Sequence, residues 1–245
     1  MSFYNTLACY YDEIFPPDPD FTAWAVKYLS EFAPGARLID LGCGTGNLLL
    51  SLLQAFPGKY QLLGIDASEA MLEKAQKKIL AGRFRCGDFT KLKDYFPELN
   101  YAAVFCTGNT LVHLTAYDDI ENFIGKASSL LADNSLLVVQ IINYFKRING
   151  DTIKSLSPVK TGNLVFERNY RFNTEKKIIF QGVITDTKNG TRFENDAVLL
   201  PVLPEQLQGL LKKYFTHNSF FGSFKMEPFD RFSSDAMVSI SRKQL

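Results

Sequence analysis

The chain has 245 residues, of which 46% are hydrophobic and 22% are charged, and its formal net charge is +1. A chain of this length and composition buries one globular core and has room for a small appendage. The near-neutral charge argues against a broad electrostatic surface for DNA or RNA, and no apolar run approaches the length of a membrane span.

Cysteine and histidine usage predicts neither a metal site nor a disulfide scaffold. The cysteines, at positions 9, 43, 86 and 106, show no CxxC or other ligand spacing, and the two histidines are His113 and His217. Residues 1–20 also lack the charged region and apolar run of a signal peptide. We therefore expect a reduced, cytoplasmic enzyme that needs no metal.

Residues 1–35 are predicted to form an N-terminal helical lid segment. Aromatic side chains recur there at spacings of three and four, which gives a helix one apolar face. Three prolines, at positions 16, 17 and 19, separate this helix from the opening segment. The aromatic positions are Phe21, Trp24, Tyr28 and Phe32.

Strands and helices alternate from residue 36 to residue 143. The predicted strands cover 38–41, 60–66, 84–87, 101–107 and 135–143, and the predicted helices cover 47–56, 68–80 and 117–131. Short loops join these elements, which favours a mostly parallel, doubly wound α/β sheet covered on both faces. A ligand then belongs at the carboxyl ends of the strands.

The second half of the chain follows a different pattern. Three antiparallel strands are predicted at 164–172, 177–185 and 191–200, with Asn189-Gly190 as a hairpin turn. A helix at 204–215 and strands near 217–225 and 236–241 follow. We therefore predict a core of residues 36–143 and 204–245, interrupted at 144–203 by an antiparallel β insertion that serves as a substrate cap or a dimer contact.

The most informative motif is Arg37–Gly46, R-L-I-D-L-G-C-G-T-G. An apolar strand ends near Asp40, three closely spaced glycines follow, and a helix begins. Such a turn brings backbone N–H groups up to a small anionic or nucleoside ligand, and glycine permits both the positive φ and the close approach. The glycines follow G-x-G-x-G, so the third arrives one residue earlier than in a dinucleotide fingerprint. Two further acids, Asp66 and Asp88, follow the next two strands.

This spacing resembles that of the class I S-adenosylmethionine-dependent methyltransferases, over roughly residues 36–143. The resemblance implies a Rossmann-like fold with a seven-stranded sheet, S-adenosyl-L-methionine as cofactor and S-adenosyl-L-homocysteine as product. It also implies that the glycine loop lies against the methionine and ribose portion and that Asp66 binds the ribose hydroxyls. Asp88 would take the adenine amino group, with Phe89 and Met71 against the ring.

The segment C-T-G-N-T at 106–110 would then lie near the methyl group. The opening A-C-Y-Y-D-E-I-F also resembles a segment that folds over the cofactor in many small-molecule methyltransferases, with Tyr11 as a lid residue and Tyr10 as a weaker one. The full set of predicted cofactor contacts is Tyr11, Trp24, Asp40, Gly42, Cys43, Gly44, Gly46, Asp66, Ala67, Met71, Gly87, Asp88, Phe89, Thr107 and Gly108.

Two residues after the fourth strand are candidates for catalysis. The segment G-N-T-L-V-H-L resembles the corresponding stretch of glycine/sarcosine-type N-methyltransferases, which lies near cofactor and acceptor. His113 is the candidate base, and Asn109 the candidate for orienting the acceptor. The alternative is structural: a histidine packed against the strand end and an asparagine that caps the loop.

The predicted reaction is in-line methyl transfer to a small-molecule acceptor, with N-methylation slightly favoured over O-methylation. The fourth strand lacks the [D/N]-P-P-[Y/F] motif of base methylases, so no nucleic acid and no membrane partner is expected. The insertion shapes an acceptor pocket, forms a homodimer contact, or only extends the sheet. The alternatives are an RNA or protein methyltransferase, an aminopropyl transferase, and a non-catalytic S-adenosylmethionine-binding protein of the same fold.

Overall fold

The computed structural model describes residues 7–97 and 100–243, and these ranges form one large sheet, one four-stranded sheet and a small hairpin. The parts of the predicted lid segment and core at residues 1–6 and 244–245 lie outside the described residues. In chain order the strands are β1 Arg37–Leu41, β2 Gln61–Asp66, β3 Arg83–Cys86, β4 Tyr101–Cys106, β5 Leu131–Ile142, β6 Ile148–Asn149, β7 Thr152–Ile153, β8 Leu156–Thr161, β9 Leu164–Phe172, β10 Ile178–Asp186, β11 Thr191–Leu199, β12 His217–Phe221 and β13 Ala236–Arg242. The α-helices are α1 Tyr11–Ile14, α2 Pro19–Leu29, α3 Asn47–Ala55, α4 Glu69–Lys78, α5 Leu92–Tyr95, α6 Tyr117–Leu130, α7 Tyr144–Arg147 and α8 Pro204–Tyr214.

The large sheet has the strand order β12-β13-β5-β4-β1-β2-β3. Strands β1 to β5 pair in parallel, whereas β13 runs antiparallel to both of its neighbours. The chain leaves the core after β5 to form the insertion and returns to the core at α8. The predicted Rossmann-like, seven-stranded, mostly parallel sheet with an antiparallel insertion after the fifth strand is confirmed.

The central strands are apolar on both faces because helices cover both. In β1, the side chain of Leu38 packs with α2, α3 and α4, while that of Ile39 joins a second cluster with α6 and α8. Strand β2 repeats the alternation with Leu62 and Leu63. Burial on both faces is typical of parallel strands between helical layers, and it fixes their register.

The four-stranded sheet of the insertion has the order β11-β10-β9-β8. Three of these strands were predicted; β8 was not. Strand β8 lies at the edge, contains Pro158, and shifts register between Leu156 and Val159. A proline lacks the N–H that a central strand needs, so it is tolerated at an edge or a bulge.

The lid segment is held on the core by a polar cluster. Oδ1 of Asp12 accepts hydrogen bonds from Oγ1 of Thr45 at 2.5 Å and from Nζ of Lys78 at 2.7 Å. The side chain of Asn47 donates to the carbonyl of Phe15 at 2.7 Å and accepts from Lys78 at 2.7 Å. We call these residues the lid latch: Asp12, Phe15, Thr45, Asn47 and Lys78.

The lid segment also contacts the insertion. The ring of Phe15 meets that of Phe166 edge-on, with centroids 5.7 Å apart, and the rings of Tyr10 and Phe193 lie 6.3 Å apart. Leu7, Ala8 and Ile14 are buried in a cluster with Leu164, Phe166 and Ile184. The same short segment therefore packs against both the core and the β insertion.

Candidate functional site

The carboxyl ends of β1 and β2 bring two acids together beside the glycine turn. Asp66 ends β2, and both of its oxygens accept backbone N–H groups: Oδ2 from Gly44 at 2.8 Å and Oδ1 from Ser68 at 2.9 Å. Burial raises the pKa of this carboxyl, and the backbone hydrogen bonds oppose the shift. Each oxygen keeps a lone pair for a further donor, which suits a pair of vicinal hydroxyls.

Asp40 is the more deeply buried acid, with 3% of its surface exposed. Burial and the negative charge of Asp66 raise the pKa of Asp40 to about 8. Its Oδ1 is buried and has no hydrogen-bond partner among the described residues. A buried carboxyl without a partner is costly, so the site is suited to a ligand that supplies a donor or a positive charge.

The turn between these acids depends on glycine. Gly42 has a φ of +74°, and a Cβ at this position would lie 2.4 Å from Cγ2 of Thr110. The N–H groups of Gly42 and Cys43 both donate to the carbonyl of Ile65, at 2.8 and 2.9 Å. These bonds tie the turn to the end of β2, so it packs tightly between two strand ends.

Tyr11 of the lid segment lies over this turn. A methyl group added at Gly44 would lie 3.7 Å from Cζ of Tyr11. Burial first, and then the charges of Asp66 and Asp40, raise the pKa of the Tyr11 hydroxyl. The phenol therefore stays protonated near both acids, where Tyr11 lies over the glycine turn.

The end of β4 carries a second turn, which the side chain of Asn109 stabilises. Asn109 has a φ of +68°; its Oδ1 accepts from the N–H of Ile142 at 3.0 Å, and its Nδ2 donates to Oη of Tyr144 at 3.0 Å. These bonds fix the turn against β5 and α7. They give Asn109 a structural role, and the second hydrogen on Nδ2 remains for an acceptor.

A cavity of about 850 Å³ opens between these turns and the insertion. Eight of the predicted site residues line it: Tyr11, Asp40, Gly42, Cys43, Thr107, Gly108, Asn109 and His113. His113 lines this space, and desolvation by the surrounding protein lowers the pKa of its imidazole. A neutral imidazole in a cavity wall is able to accept a proton near pH 7.

Other predicted cofactor contacts lie beside the cavity and do not line it. Gly46 begins α3 with a φ of +80°, Ala67 follows Asp66, and the N–H of Gly87 donates to the carbonyl of Asp66 at 3.0 Å. These residues, with Gly44 and Asp66, lie at or just after the ends of β1, β2 and β3. The strand ends are therefore aligned as predicted, and the roles of these residues in binding stay predictions.

The predicted adenine contacts make local contacts within the protein, and their role in binding stays a prediction. Oδ1 of Asp88 caps a short helical turn by accepting from N and Oγ1 of Thr90, at 2.8 and 2.7 Å. Phe89 packs edge-on against Phe123 and lines a separate cavity of about 260 Å³. Met71 is 1% exposed and lies beneath the lid segment.

Trp24 lies in the core and not at the cavity. It is 2% exposed and packs among Phe21, Phe105 and Phe224 beneath α2. An aromatic stripe at helical spacing is the apolar face of a helix, and here that face meets the sheet. The prediction that Trp24 covers the cofactor is therefore wrong for this arrangement.

Sequence reasoning missed the charged wall of the cavity. Arg147 ends α7, Lys154 follows β7, and Arg168 and Tyr170 lie on β9, yet all four line the same cavity. No motif marks them, because they converge only when the insertion folds over the core. Only a weak sequence signal marks this wall: Arg168 and Tyr170 are two positions apart on one strand and therefore share a face.

Among the described residues, no helix is both long and apolar enough to cross a membrane. In the same ranges, no group of three or more His, Cys, Asp or Glu side chains is arranged to hold a metal ion.

Comparison with known proteins agrees with the motif and the fold. Residues 38–134 match a family model described as a methyltransferase domain. A curated carboxy-S-adenosyl-L-methionine synthase from Helicobacter pylori is 37% identical over 87 residues, which are 34% of this chain and 36% of that protein. The chain thus spans about a third of the length of that relative.

Two solved structures resemble the whole chain. The CcbJ methyltransferase from Streptomyces caelestis superposes with a TM-score of 0.80 at 22% identity, covering 100% of this chain and 99% of that one. The sugar N-methyltransferase KedS8 from Streptoalloteichus sp ATCC 53650 gives a TM-score of 0.68 at 17% identity, covering 99% and 94%. At these identities the likeness concerns the fold.

The parallel sheet, the glycine turn and the acids at successive strand ends define the class I, Rossmann-like α/β architecture. Within that architecture, residues 38–134 match the methyltransferase domain family.

Proposed function

We propose that the protein transfers a methyl group from S-adenosylmethionine to a small-molecule acceptor, with nitrogen favoured over oxygen as the acceptor atom. One observation carries the proposal: buried Asp40, half-buried Asp66 and a glycine turn meet at one edge of the sheet, next to a cavity of about 850 Å³ whose wall includes His113.

The residues fit the cofactor chemically. Asp66 has a lone pair left on each oxygen for the two ribose hydroxyls. The unpartnered Oδ1 of Asp40 suits the positively charged amino group of the methionine portion. When bound, the cofactor supplies an electrophilic methyl carbon on a sulfonium.

The protein's own part in the reaction is alignment and proton removal. In-line displacement needs the acceptor atom opposite the leaving sulfur. The turn at Thr107–Asn109 and the insertion therefore hold the acceptor atom in line with the methyl carbon. His113 accepts the proton that the acceptor nitrogen loses, because its lowered pKa keeps the imidazole neutral near pH 7. No metal is needed for this chemistry.

The preference for nitrogen has two supports. The cavity lining includes one imidazole, that of His113, which is sufficient to take up the proton that an amine loses on methylation. The fold-level likeness to a protein described as a sugar N-methyltransferase points the same way. The small-molecule preference rests on the cavity, whose lining combines core and insertion residues.

Calorimetric titration with S-adenosylmethionine and S-adenosylhomocysteine tests cofactor binding. We expect both to bind; if neither does, the proposal is wrong. Incubation with methyl-labelled cofactor and a metabolite extract then tests transfer. Label in a small molecule supports the proposal, label in RNA or protein supports the macromolecular alternative, and binding without any transfer supports a non-catalytic protein.

A further inference from the structure

The end of the cavity formed by the insertion is rich in positive charge. Lys146 and Arg147 reach it from α7, Lys154 from the segment after β7, and Arg168 from β9. Asp235 is the one acid of the described residues that lines this end, and it pairs with Lys146 at 3.0 Å and with Arg147 at 3.2 Å. The other two acids of the lining, Asp18 and Asp40, belong to the lid segment and to β1.

Two of these cationic side chains, those of Arg147 and Arg168, each have a guanidinium nitrogen without a hydrogen-bond partner among the described residues. The Arg147 side chain is 10% exposed, and its Nε is buried with no partner among the described residues. The Nε of Arg168 is likewise buried and unpartnered there, while its Nη2 donates to the carbonyl of Ser157 at 2.8 Å. Burial and the nearby charge of Arg147 lower the pKa of Arg168. Two guanidinium groups close enough to affect each other raise the energy of the empty site.

Tyrosines connect this charged end to the predicted methyl-transfer end. The phenol of Tyr170 is close enough to Arg168 and Arg147 for both to act on its pKa, which burial raises to about 12. The phenol of Tyr144, also near Arg147, accepts a hydrogen bond from Asn109 at 3.0 Å. Of these two phenols, that of Tyr170 belongs to a residue lining the cavity, whereas Tyr144 is fully buried and links Asn109 to the neighbourhood of Arg147.

We infer that the methyl acceptor carries an anionic group, a carboxylate or a phosphate, which Arg147 and Arg168 bind. Guanidinium groups are suited to both anions because two N–H donors lie in one plane. A bound anion offsets the repulsion between the two arginines. It also orients the acceptor, with its anionic end toward the insertion and its reactive atom toward Asn109 and His113.

This inference rests on the proposed function, and the experiment separates the two. S-adenosylhomocysteine is first titrated alone into the wild-type protein and into Arg168→Met, Arg147→Met and Arg171→Met. Arg171 is the matched control because it lies on β9 with a 62% exposed side chain paired to Asp196. Failure of the wild type to bind S-adenosylhomocysteine counts against the proposed function. Urea unfolding of each variant identifies any that fails to fold.

The protein saturated with S-adenosylhomocysteine is then titrated with citrate, with inorganic phosphate and with neutral glycerol. We expect the wild type and Arg171→Met to bind at least one anion and not glycerol, and the affinity to fall at least tenfold in Arg168→Met and Arg147→Met. Preference for citrate indicates a carboxylate, and preference for phosphate indicates a phosphate ester. The inference is overturned if the wild type binds neither anion, or if Arg168→Met binds them as tightly as the wild type does.

Discussion

The proposed cofactor half and the proposed acceptor half of the site are built in different ways. The cofactor half consists of a backbone turn and two acids within Asp40–Asp66, held by main-chain hydrogen bonds at strand ends. The acceptor half consists of charged and aromatic side chains from α7, β7–β8 and β9. The first half is therefore specified by local sequence and the second by tertiary packing, which leaves the acceptor site freer to vary without loss of the fold.

The two halves also differ in electrostatics. Asp40 and Asp66 put carboxyl groups under the turn, whereas Arg147 and Arg168 put unpartnered donors under the insertion. His113 lies in the wall that both halves share. Substitutions in each half should therefore affect different ligands, and a substitution at His113 should affect the reaction itself.

The largest effect is expected from His113→Gln, measured as kcat from pH 6 to pH 9. Removal of a general base costs about 10²–10⁴-fold in rate. With an amine acceptor the deficit should narrow as the pH rises, because the amine then arrives unprotonated; with an oxygen acceptor it should persist. His217→Gln is the control, since His217 is exposed on β12. An unchanged kcat at every pH would remove His113 from the mechanism.

Asp40→Asn should stabilise the protein at alkaline pH in the absence of cofactor. Because the pKa of Asp40 is about 8 in the folded protein and 3.8 is its ordinary value, the native state holds a proton that the unfolded chain releases. Its contribution to stability is therefore present at low pH and is lost as the pH rises toward 8. We expect the variant to gain about 2–4 kcal/mol in the free energy of unfolding at pH 9, and little near pH 4.

Urea unfolding at the two pH values measures this gain, with Asp88→Asn as an exposed control. An equal difference at both pH values would contradict the assignment of the shift to Asp40. The gain in stability should be accompanied by weaker binding of S-adenosylmethionine, since the variant cannot offer a carboxylate to the amino group.

Asp66→Ala should weaken binding of S-adenosylmethionine and S-adenosylhomocysteine by about 1.5–3 kcal/mol, the range for hydrogen bonds to a charged group. Calorimetry measures this loss of affinity. Asp133→Ala is the control, because Asp133 is an exposed acid on β5. The affinity for anions of the acceptor half should not change, which would show that the two halves bind independently. Unchanged cofactor affinity would exclude Asp66 from the site.

The smallest effect is expected from Lys78→Met, which removes two bonds of the lid latch. The pair with Asp12 is partly exposed, so we expect a loss of at most about 1 kcal/mol in S-adenosylhomocysteine affinity, and less at high salt. Proteolysis near the N-terminus should become faster. Lys77→Met is the control, because Lys77 is the exposed neighbour on α4. Identical proteolysis of both variants would show that the latch does not hold the lid segment.

The sequence predicted most of the fold because apolar periodicity and strand-end chemistry are local. The sheet and the contacts of Asp66 with the turn follow from short segments. Asp88 shows the limit of this reasoning: an acid at a strand end can bind a ligand or cap the next turn, and here Thr90 takes one of its oxygens. Sequence spacing alone does not separate these two uses.

Residues whose roles depend on long-range packing were not predicted. Trp24 has the spacing of a helix face, and only the folded chain shows that this face meets the sheet. Strand β8 was not predicted because its sequence, L-S-P-V-K-T, has weak strand propensity. It forms the edge strand beside β9. Arg147 and Arg168 are 21 positions apart, so nothing in the linear pattern joins them.

The position of the lid segment has a kinetic consequence. Asp12 holds it to the core through Thr45 and Lys78, and Phe15 packs against Phe166 of the insertion. A displacement of this one segment uncovers the glycine turn and loosens the insertion at the same time. We therefore expect movement of this segment to couple the exchange of the methyl donor with that of the acceptor.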